Sequence, residues 1–255
     1  MKKHKTGFFN QYPDLYDLMI PWEQRLAREM PFFEKLFQEN KVKSVLDCGC
    51  GTGWHTITFA KKGYQAYGLD NSPAMIDFAK QNATKQNVSA RFYVGDFQSV
   101  DKAIPRKVDA LICLGNSLAI LQNEKAIART LKSMHRVLSP NGIAIFQVVN
   151  FDRMVYQGNP TLPLRHIIKG EKEYLFIRHF DISKEKVQIN FMLLSKQNNQ
   201  WSLDNHSTTL FYYTKPLLTR LLKQAGFRHF KIYGDLSLSP FSPKTSPDFI
   251  VIAKK

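Results

Sequence analysis

The spacing of apolar and polar residues changes several times along the chain. Through "PWEQRLAREMPFFEKLFQEN" the apolar residues Leu26, Met30, Phe33 and Phe37 recur at helical spacing, which predicts one amphipathic helix. Short apolar runs then alternate with amphipathic stretches. "SVLDCG" predicts a buried strand and "TITFAKKG" a helix ending at Gly63. "QAYGLDNS" predicts a second strand, and "PAMIDFAKQNATKQN" a helix with Pro73 in its first turn. "ARFYVGDF" and "VDALICLG" read as the third and fourth strands, "EKAIARTLKSMHRVL" as a helix, and "GIAIFQVVN", after the turn "SPNG", as the fifth strand. Strand and helix in alternation imply a parallel sheet covered on both faces.

From Phe151 this rhythm stops. "EYLFIRHFDIS", "KVQINFMLLSK" and "WSLDNHSTTLFYY" are three strand-like runs joined by the polar turns "KEK" and "QNNQ", the pattern of an antiparallel meander. The helix "TKPLLTRLLKQAG" and the strands "FRHFKIYGD" and "DFIVIAKK" then resume the earlier order. The expected fold is α/β: a doubly wound, mostly parallel seven-stranded sheet built from residues 1–150 and 214–255, with an inserted antiparallel β cap over residues 151–213.

Composition narrows this only a little. With 255 residues and 44% hydrophobic content the chain can bury one substantial core. A formal net charge of +15 raises the case for a polyanionic partner, but the excess is diffuse, and residues 151–213 hold eight Lys and Arg against six Asp and Glu. A nucleic-acid partner is therefore admitted but not favoured. No apolar run approaches the ~20 residues that span a bilayer, and no apolar signal region follows the basic start, so a cytoplasmic protein without membrane insertion is expected. The three cysteines, Cys48, Cys50 and Cys113, are an odd number with two flanking one glycine, which does not make a disulfide framework. No H-x-x-x-H or C-x-x-C spacing suggests a metal site.

The candidate chemistry begins at "VLDCGCGTGWH". Gly49, Gly51 and Gly53 directly follow the first strand, where the ligand of an open parallel sheet usually lies. Such glycines let the backbone turn tightly beside a ligand, and the next helix offers unpaired N–H groups. Asp47, ending the strand, is placed to orient the loop or to accept from an ammonium group. A dinucleotide fingerprint would need its third glycine at residue 54, which is Trp54. Asp70 ends the second strand, where a carboxylate can hold two ribose hydroxyls, and Asn71 and Met75 follow it. Asp96 and Phe97 end the third strand. Each acid alone would more often cap a helix; three at successive strand ends beside a glycine loop point to a shared ligand.

The spacing D-x-G-x-G-x-G resembles motif I of the class I S-adenosylmethionine-dependent methyltransferases. "ICLGNSLAIL" at the fourth strand end, with Leu114 and Asn116, and the ending "YGDLSLSPFSPKTSPDFIVIAKK" narrow the resemblance to the glycine and glycine/sarcosine N-methyltransferases. The resemblance implies S-adenosylmethionine as cofactor, S-adenosylhomocysteine as product, and a small-molecule acceptor methylated on an amine nitrogen. It also implies that the glycine loop takes the methionine part, that Asp96 takes the adenine amino group beside Phe97, and that an N-terminal segment closes over the cofactor. Tyr12, Tyr16 and Arg25 are the candidates for that closure, although the tyrosines fit a core role equally. On the acceptor side the candidate catalytic residues are Asn116, Tyr212, His179 and His206, the histidines as a base for an ammonium acceptor. Asn116 has the alternative of supporting its own turn, and His55 reads as a packing or capping residue.

One position departs from the resembled group. Where it carries an arginine for the substrate carboxylate, this chain has Val149, so glycine itself is a doubtful acceptor unless Arg153, Arg165 or Arg178 supplies the cation. Two rival readings remain at this level, a nucleic-acid methyltransferase and a protein that binds the cofactor without catalysis. Against the first, the chain has no N-P-P-[YF] motif and no Pro-Cys dipeptide. Nothing in the pattern specifies an oligomeric state.

Overall fold

The computed structural model describes residues 8–183 and 186–255. Three helices, α1 (Phe8–Gln11), α2 (Pro13–Met19) and α3 (Trp22–Glu39), precede the first strand, and α3 runs unbroken through Pro31. The alternating part comprises β1 (Ser44–Cys48), α4 (Trp54–Lys61), β2 (Gln65–Asp70), α5 (Pro73–Lys85), β3 (Arg91–Val94), α6 (Val100–Ala103), β4 (Val108–Cys113), α7 (Glu124–Val137) and β5 (Leu138–Val149). Then follow α8 (Phe151–Gln157), the antiparallel strands β6 (Thr161–Lys169), β7 (Lys172–Ile182), β8 (Lys186–Gln197) and β9 (Gln200–Phe211), and finally α9 (Lys215–Ala225), β10 (His229–Tyr233) and β11 (Asp248–Lys254).

The main sheet has the order β10-β11-β5-β4-β1-β2-β3, parallel except for β11, which runs antiparallel to both neighbours. The expected α/β class, the seven strands and the separate antiparallel sheet are all present. Strand alternation divides the core. Leu46, Cys48, Leu111, Cys113, Ala144 and Phe146 point to the face that carries α7, α9 and the four-stranded sheet. Val45, Ala110, Ile112, Ile143 and Ile145 point to the other, where Met30, Phe33 and Phe37 of α3 meet Phe59 of α4. These are the apolar positions whose spacing marked α3 as amphipathic, and Phe33 packs edge-on to Phe59 at 5.5 Å between ring centres.

Three details differ from the sequence expectation. The second sheet has four strands, not three, in the order β6-β7-β8-β9. The extra strand, "TLPLRHIIK", lacks clean alternation because its register shifts between Leu162 and Arg165, across Pro163, and it lies on the sheet edge, where proline is tolerated. Strand β5 starts at Leu138, so "SPNG" lies inside it as an irregularity with Asn141 at φ +63°, not as a separate turn. Residues 151–157 form the helix α8, closed by Gly158 in the left-handed conformation. Among the described residues no helix is long and apolar enough to cross a membrane.

Candidate functional site

The glycine loop is a tight turn locked to its neighbours. Gly49 N and Cys50 N both donate to Leu69 O, at 2.7 and 3.1 Å, and Gly53 N donates to Cys50 O at 2.9 Å. All three glycines have left-handed φ, +81°, +52° and +86°. Their neighbours separate their roles. A Cβ on Gly49 would stand 2.5 Å from Ser117 Oγ, and one on Gly53 would stand 2.8 Å from Ala79 Cβ and 2.9 Å from the Phe92 ring. Gly53 thus lets α4 and α5 approach β3, whereas Gly49 and Gly51 line a cavity of about 330 Å³ at the carboxyl ends of the strands.

Asp70, Asn71, Met75, Asp96 and Phe97 line the same cavity. Asp70 accepts from Gly51 N (3.0 Å) through one oxygen and from Ser72 N (2.9 Å) through the other. Burial raises its pKa, against these backbone donors. Asp96 caps the turn that follows it, accepting from Gln98 N at 2.7 Å. Asp47 does not reach the cavity lining: its neighbours in β1 face the α7 side, so it points toward α3 and α4. There it is buried and accepts from Thr56 Oγ1 at 3.2 Å. Burial pushes its carboxyl up to about 6, opposed by His55 and by the Thr56 hydrogen bond.

The N-terminal helices close the site from the side. Tyr16, Met19, Ile20 and Arg25 line the cavity. Arg25 Nε donates to Glu29 Oε1 at 2.9 Å, and His55 Nε2 lies 2.6 Å from Glu29 Oε2, so His55 is the partner of a buried acid. Burial works to raise the Glu29 pKa, but the His55 hydrogen bond and Arg25 outweigh it and hold the group at about 2. Asp17, which the sequence reading did not single out, accepts from Trp22 Nε1 and Trp54 Nε1, each at 3.0 Å, from Asn82 Nδ2 at 3.2 Å, and from Thr52 Oγ1. One carboxylate thereby ties α2 to the glycine loop and α5. Tyr12 lies outside the cavity lining; its hydroxyl donates to Asp204 Oδ2 at 3.2 Å and its ring meets the edge of His206 at 5.6 Å.

On the opposite side, the cavity is closed by Asn116 and Val149 and by Leu162, Arg178, Phe180, Ile189 and Phe191 of the four-stranded sheet. Asn116 has φ +69°, and its Oδ1 accepts from Val149 N at 2.8 Å, which bridges the ends of β4 and β5. Among the described residues its Nδ2 has no protein partner. Leu114 is buried beneath this turn, outside the lining. Tyr212 is not in the lining either; its hydroxyl is bound to Asp152 Oδ1, which together with burial raises its pKa. His179 alternates with Arg178 and Phe180 and so lies on the outer face, 3.1 Å from Thr161 Oγ1 and 3.3 Å from Asp181 Oδ1. His206 shares the inner face, paired across from Phe191, but stands beside Tyr12 and not in the lining. The cysteines are buried and free, and burial pushes the Cys48 and Cys50 thiols well up. Of the residues expected at the cofactor, Tyr16, Arg25, Gly49, Gly51, Asp70, Asn71, Met75, Asp96 and Phe97 come together; Tyr12, Asp47, Gly53 and Leu114 support them from outside.

Known proteins resemble this chain in sequence and in fold. A family model described as a methyltransferase domain matches residues 45–142. A glycine/sarcosine N-methyltransferase of Aphanothece halophytica is 28% identical over 257 residues, covering 99% of this chain and 91% of that one. Among solved structures, a methyltransferase from Streptomyces caelestis superposes with a TM-score of 0.77 at 17% identity, covering 97% of each chain. An S-adenosylmethionine-bound amino pentose methyltransferase from Micromonospora echinaspora superposes with a TM-score of 0.73 at 17% identity, covering 99% of this chain and 100% of that one.

Proposed function

From the premise that this chain belongs to the class I S-adenosylmethionine-dependent methyltransferases, we propose that it methylates the amine nitrogen of a small acceptor held beneath the four-stranded sheet. The residues present fit the cofactor. Gly49 and Gly51 bring bare backbone to the cavity wall, and Asp70 spends one acceptor position of each oxygen on a backbone N–H. A carboxylate has about four such positions, so Asp70 keeps capacity for a pair of ribose hydroxyls. Asp96 with Phe97 and Met75 would hold the adenine, and Arg25 the cofactor's carboxylate. When bound, the cofactor supplies a methyl group already activated by its sulfonium. The protein's part is to align a nucleophile and keep water out.

The observation that carries the acceptor side is Asn116. Its oxygen is fixed by Val149 N, so its amide nitrogen is left as a donor at the cavity wall, held by a rigid turn. Among the described residues no histidine lines the cavity, so in this reading an amine acceptor sheds its proton to water before it binds. The relative from Aphanothece and the amino pentose methyltransferase, which are named for nitrogen or amino-sugar methylation, support an amine over a thiol or hydroxyl.

The test is incorporation of label from methyl-labelled cofactor into separate pools of small primary and secondary amines, thiols and structured RNA. Label in the amine pool is expected. Label confined to thiols or RNA, or in no pool, overturns the reading. Asn116→Asp sharpens it: the acceptor for Val149 N is kept, the amide donor is replaced by a charge, and methylation should drop about tenfold or more while S-adenosylhomocysteine affinity stays within a fewfold.

A further inference from the structure

On β7 and β8 the inner face of the four-stranded sheet is apolar, from Phe176 and Phe180 to Ile189, Phe191 and Leu193, with Arg178 set among these residues and Arg165 beside them on β6; the β9 edge of the same face carries Asp204, His206 and Thr208. Arg178 sits between Phe176 and Phe180 and lines the cavity. Arg165, on β6, pairs across from Phe176 in the adjacent row, which sets it diagonally beside Arg178. The Nε atoms of both are buried and have no hydrogen-bond partner, and among the described residues neither side chain has a carboxylate within ion-pair distance. The single contact from Arg178 is a long one, 3.5 Å from NH2 to Pro163 O. Burial lowers the Arg178 pKa; the nearby Tyr16 hydroxyl opposes this and Arg165 adds to it.

A half-buried cation on an apolar wall is normally paired, because partial loss of water without a partner is costly, and a second cation beside it adds repulsion. By contrast, the buried acids beside this cavity have partners: Glu29 has Arg25 and His55, Asp70 has Gly51 and Ser72. The cap pair lacks one, and it borders the cavity where Val149 offers no cation. We propose that Arg178, reinforced by Arg165, is the binding site for an oxyanion, a carboxylate or phosphate carried by the acceptor, gripped from the cap sheet and not from the end of β5. The guanidinium fork matches either group in a two-point contact. This rests on the amine-acceptor reading and adds the second charged group that the acceptor must carry.

The experiment measures thermal midpoints of the protein saturated with S-adenosylhomocysteine, so that nothing turns over. The probes are sarcosine, 2-aminoethyl phosphate and the neutral ethanolamine, at equal ionic strength. Wild type should be stabilised by one or both anionic probes and not by ethanolamine; which anion acts decides between carboxylate and phosphate. Arg178→Gln should lose that stabilisation, with about tenfold or more weaker apparent binding, and Arg165→Gln should weaken it a fewfold. Without probes, Arg178→Gln should not melt below wild type, since it removes a partly desolvated cation that has no carboxylate within ion-pair distance among the described residues. A merely structural arginine would do the reverse, lowering the midpoint and leaving probe selectivity unchanged. Equal response to neutral and anionic probes, no response to either anion in folded protein that binds S-adenosylhomocysteine, or anion binding unchanged in Arg178→Gln overturns the proposal. Label transfer to neutral amines with no anion response would sink the clamp and keep the amine reading. An Arg178-dependent anion response with no amine labelled would sink the amine reading and keep the clamp.

Discussion

Gly49 and Gly63 share a left-handed backbone, φ +81° and +88°, yet a side chain would meet different surroundings at each. At Gly63 nothing lies within 4 Å of an added Cβ, whereas at Gly49 it would strike Ser117 Oγ at 2.5 Å. Gly63→Ala should therefore cost only the left-handed strain, about 1–2 kcal/mol, and leave cofactor affinity unchanged. Gly49→Ala adds a clash on the cavity wall and should weaken S-adenosylhomocysteine binding about tenfold or more. Urea unfolding and calorimetry on both variants check this; equal affinities would show that Gly49 serves the turn alone. The glycine spacing made the tight loop legible in the sequence, but not which glycine faces a ligand and which admits a helix, because that depends on Ala79 and Phe92, distant along the chain. Asp47 was legible and misplaced. The period-2 alternation of β1, with Leu46 and Cys48 on the α7 side, already puts it on the other face.

At the scale of elements, the site depends on how α2 is held. Only seven residues long, it would not persist alone in water; Met19 packs it on the core, and the carboxylate of Asp17 is its polar anchor. Removing that acceptor leaves the two indole N–H groups, the Thr52 hydroxyl and the Asn82 amide without it. Asp17→Ala should cost roughly 2–4 kcal/mol, speed amide exchange through residues 13–19 and weaken S-adenosylhomocysteine binding. Hydrogen exchange with and without the ligand is the measurement, and unchanged protection of α2 would show that other contacts hold it. The clasp was hidden from the sequence because its partners are scattered from Trp22 to Asn82. The cap shows the converse. In "FIRHFDI" the alternation of Phe176, Arg178 and Phe180 against Ile177, His179 and Asp181 separates inner from outer face, so the exclusion of His179 from the cavity was present in the pattern. Strand β6 was not, since its bulge destroys the alternation by which a strand is recognised.

For the whole molecule, the buried charges behind the glycine loop set opposing demands on pH. Glu29 has its pKa lowered from 4.5 to about 2, so the stability it contributes is complete above pH 4.5 and is lost as the pH falls toward 2. Asp47 has its pKa raised from 3.8 to about 6, so its contribution is complete below pH 3.8 and is lost as the pH rises through 6. Both belong to one cluster with His55 and Arg25, on the α3 and α4 side of β1, from which Arg25 reaches the cavity wall. Above pH 6 the protein therefore carries Asp47 as a buried anion whose one donor among the described residues is Thr56, directly beneath the glycine loop. Asp47→Asn keeps the shape and an oxygen for Thr56 but removes the titration. Relative to wild type, the variant should gain roughly 2 kcal/mol of stability on going from pH 4 to pH 7 without ligand. Urea unfolding of both proteins at four or five pH values gives the difference directly. A gap between the two that does not change with pH would mean that Asp47 keeps an ordinary carboxylate pKa, and that its burial is compensated by a partner other than Thr56 and His55.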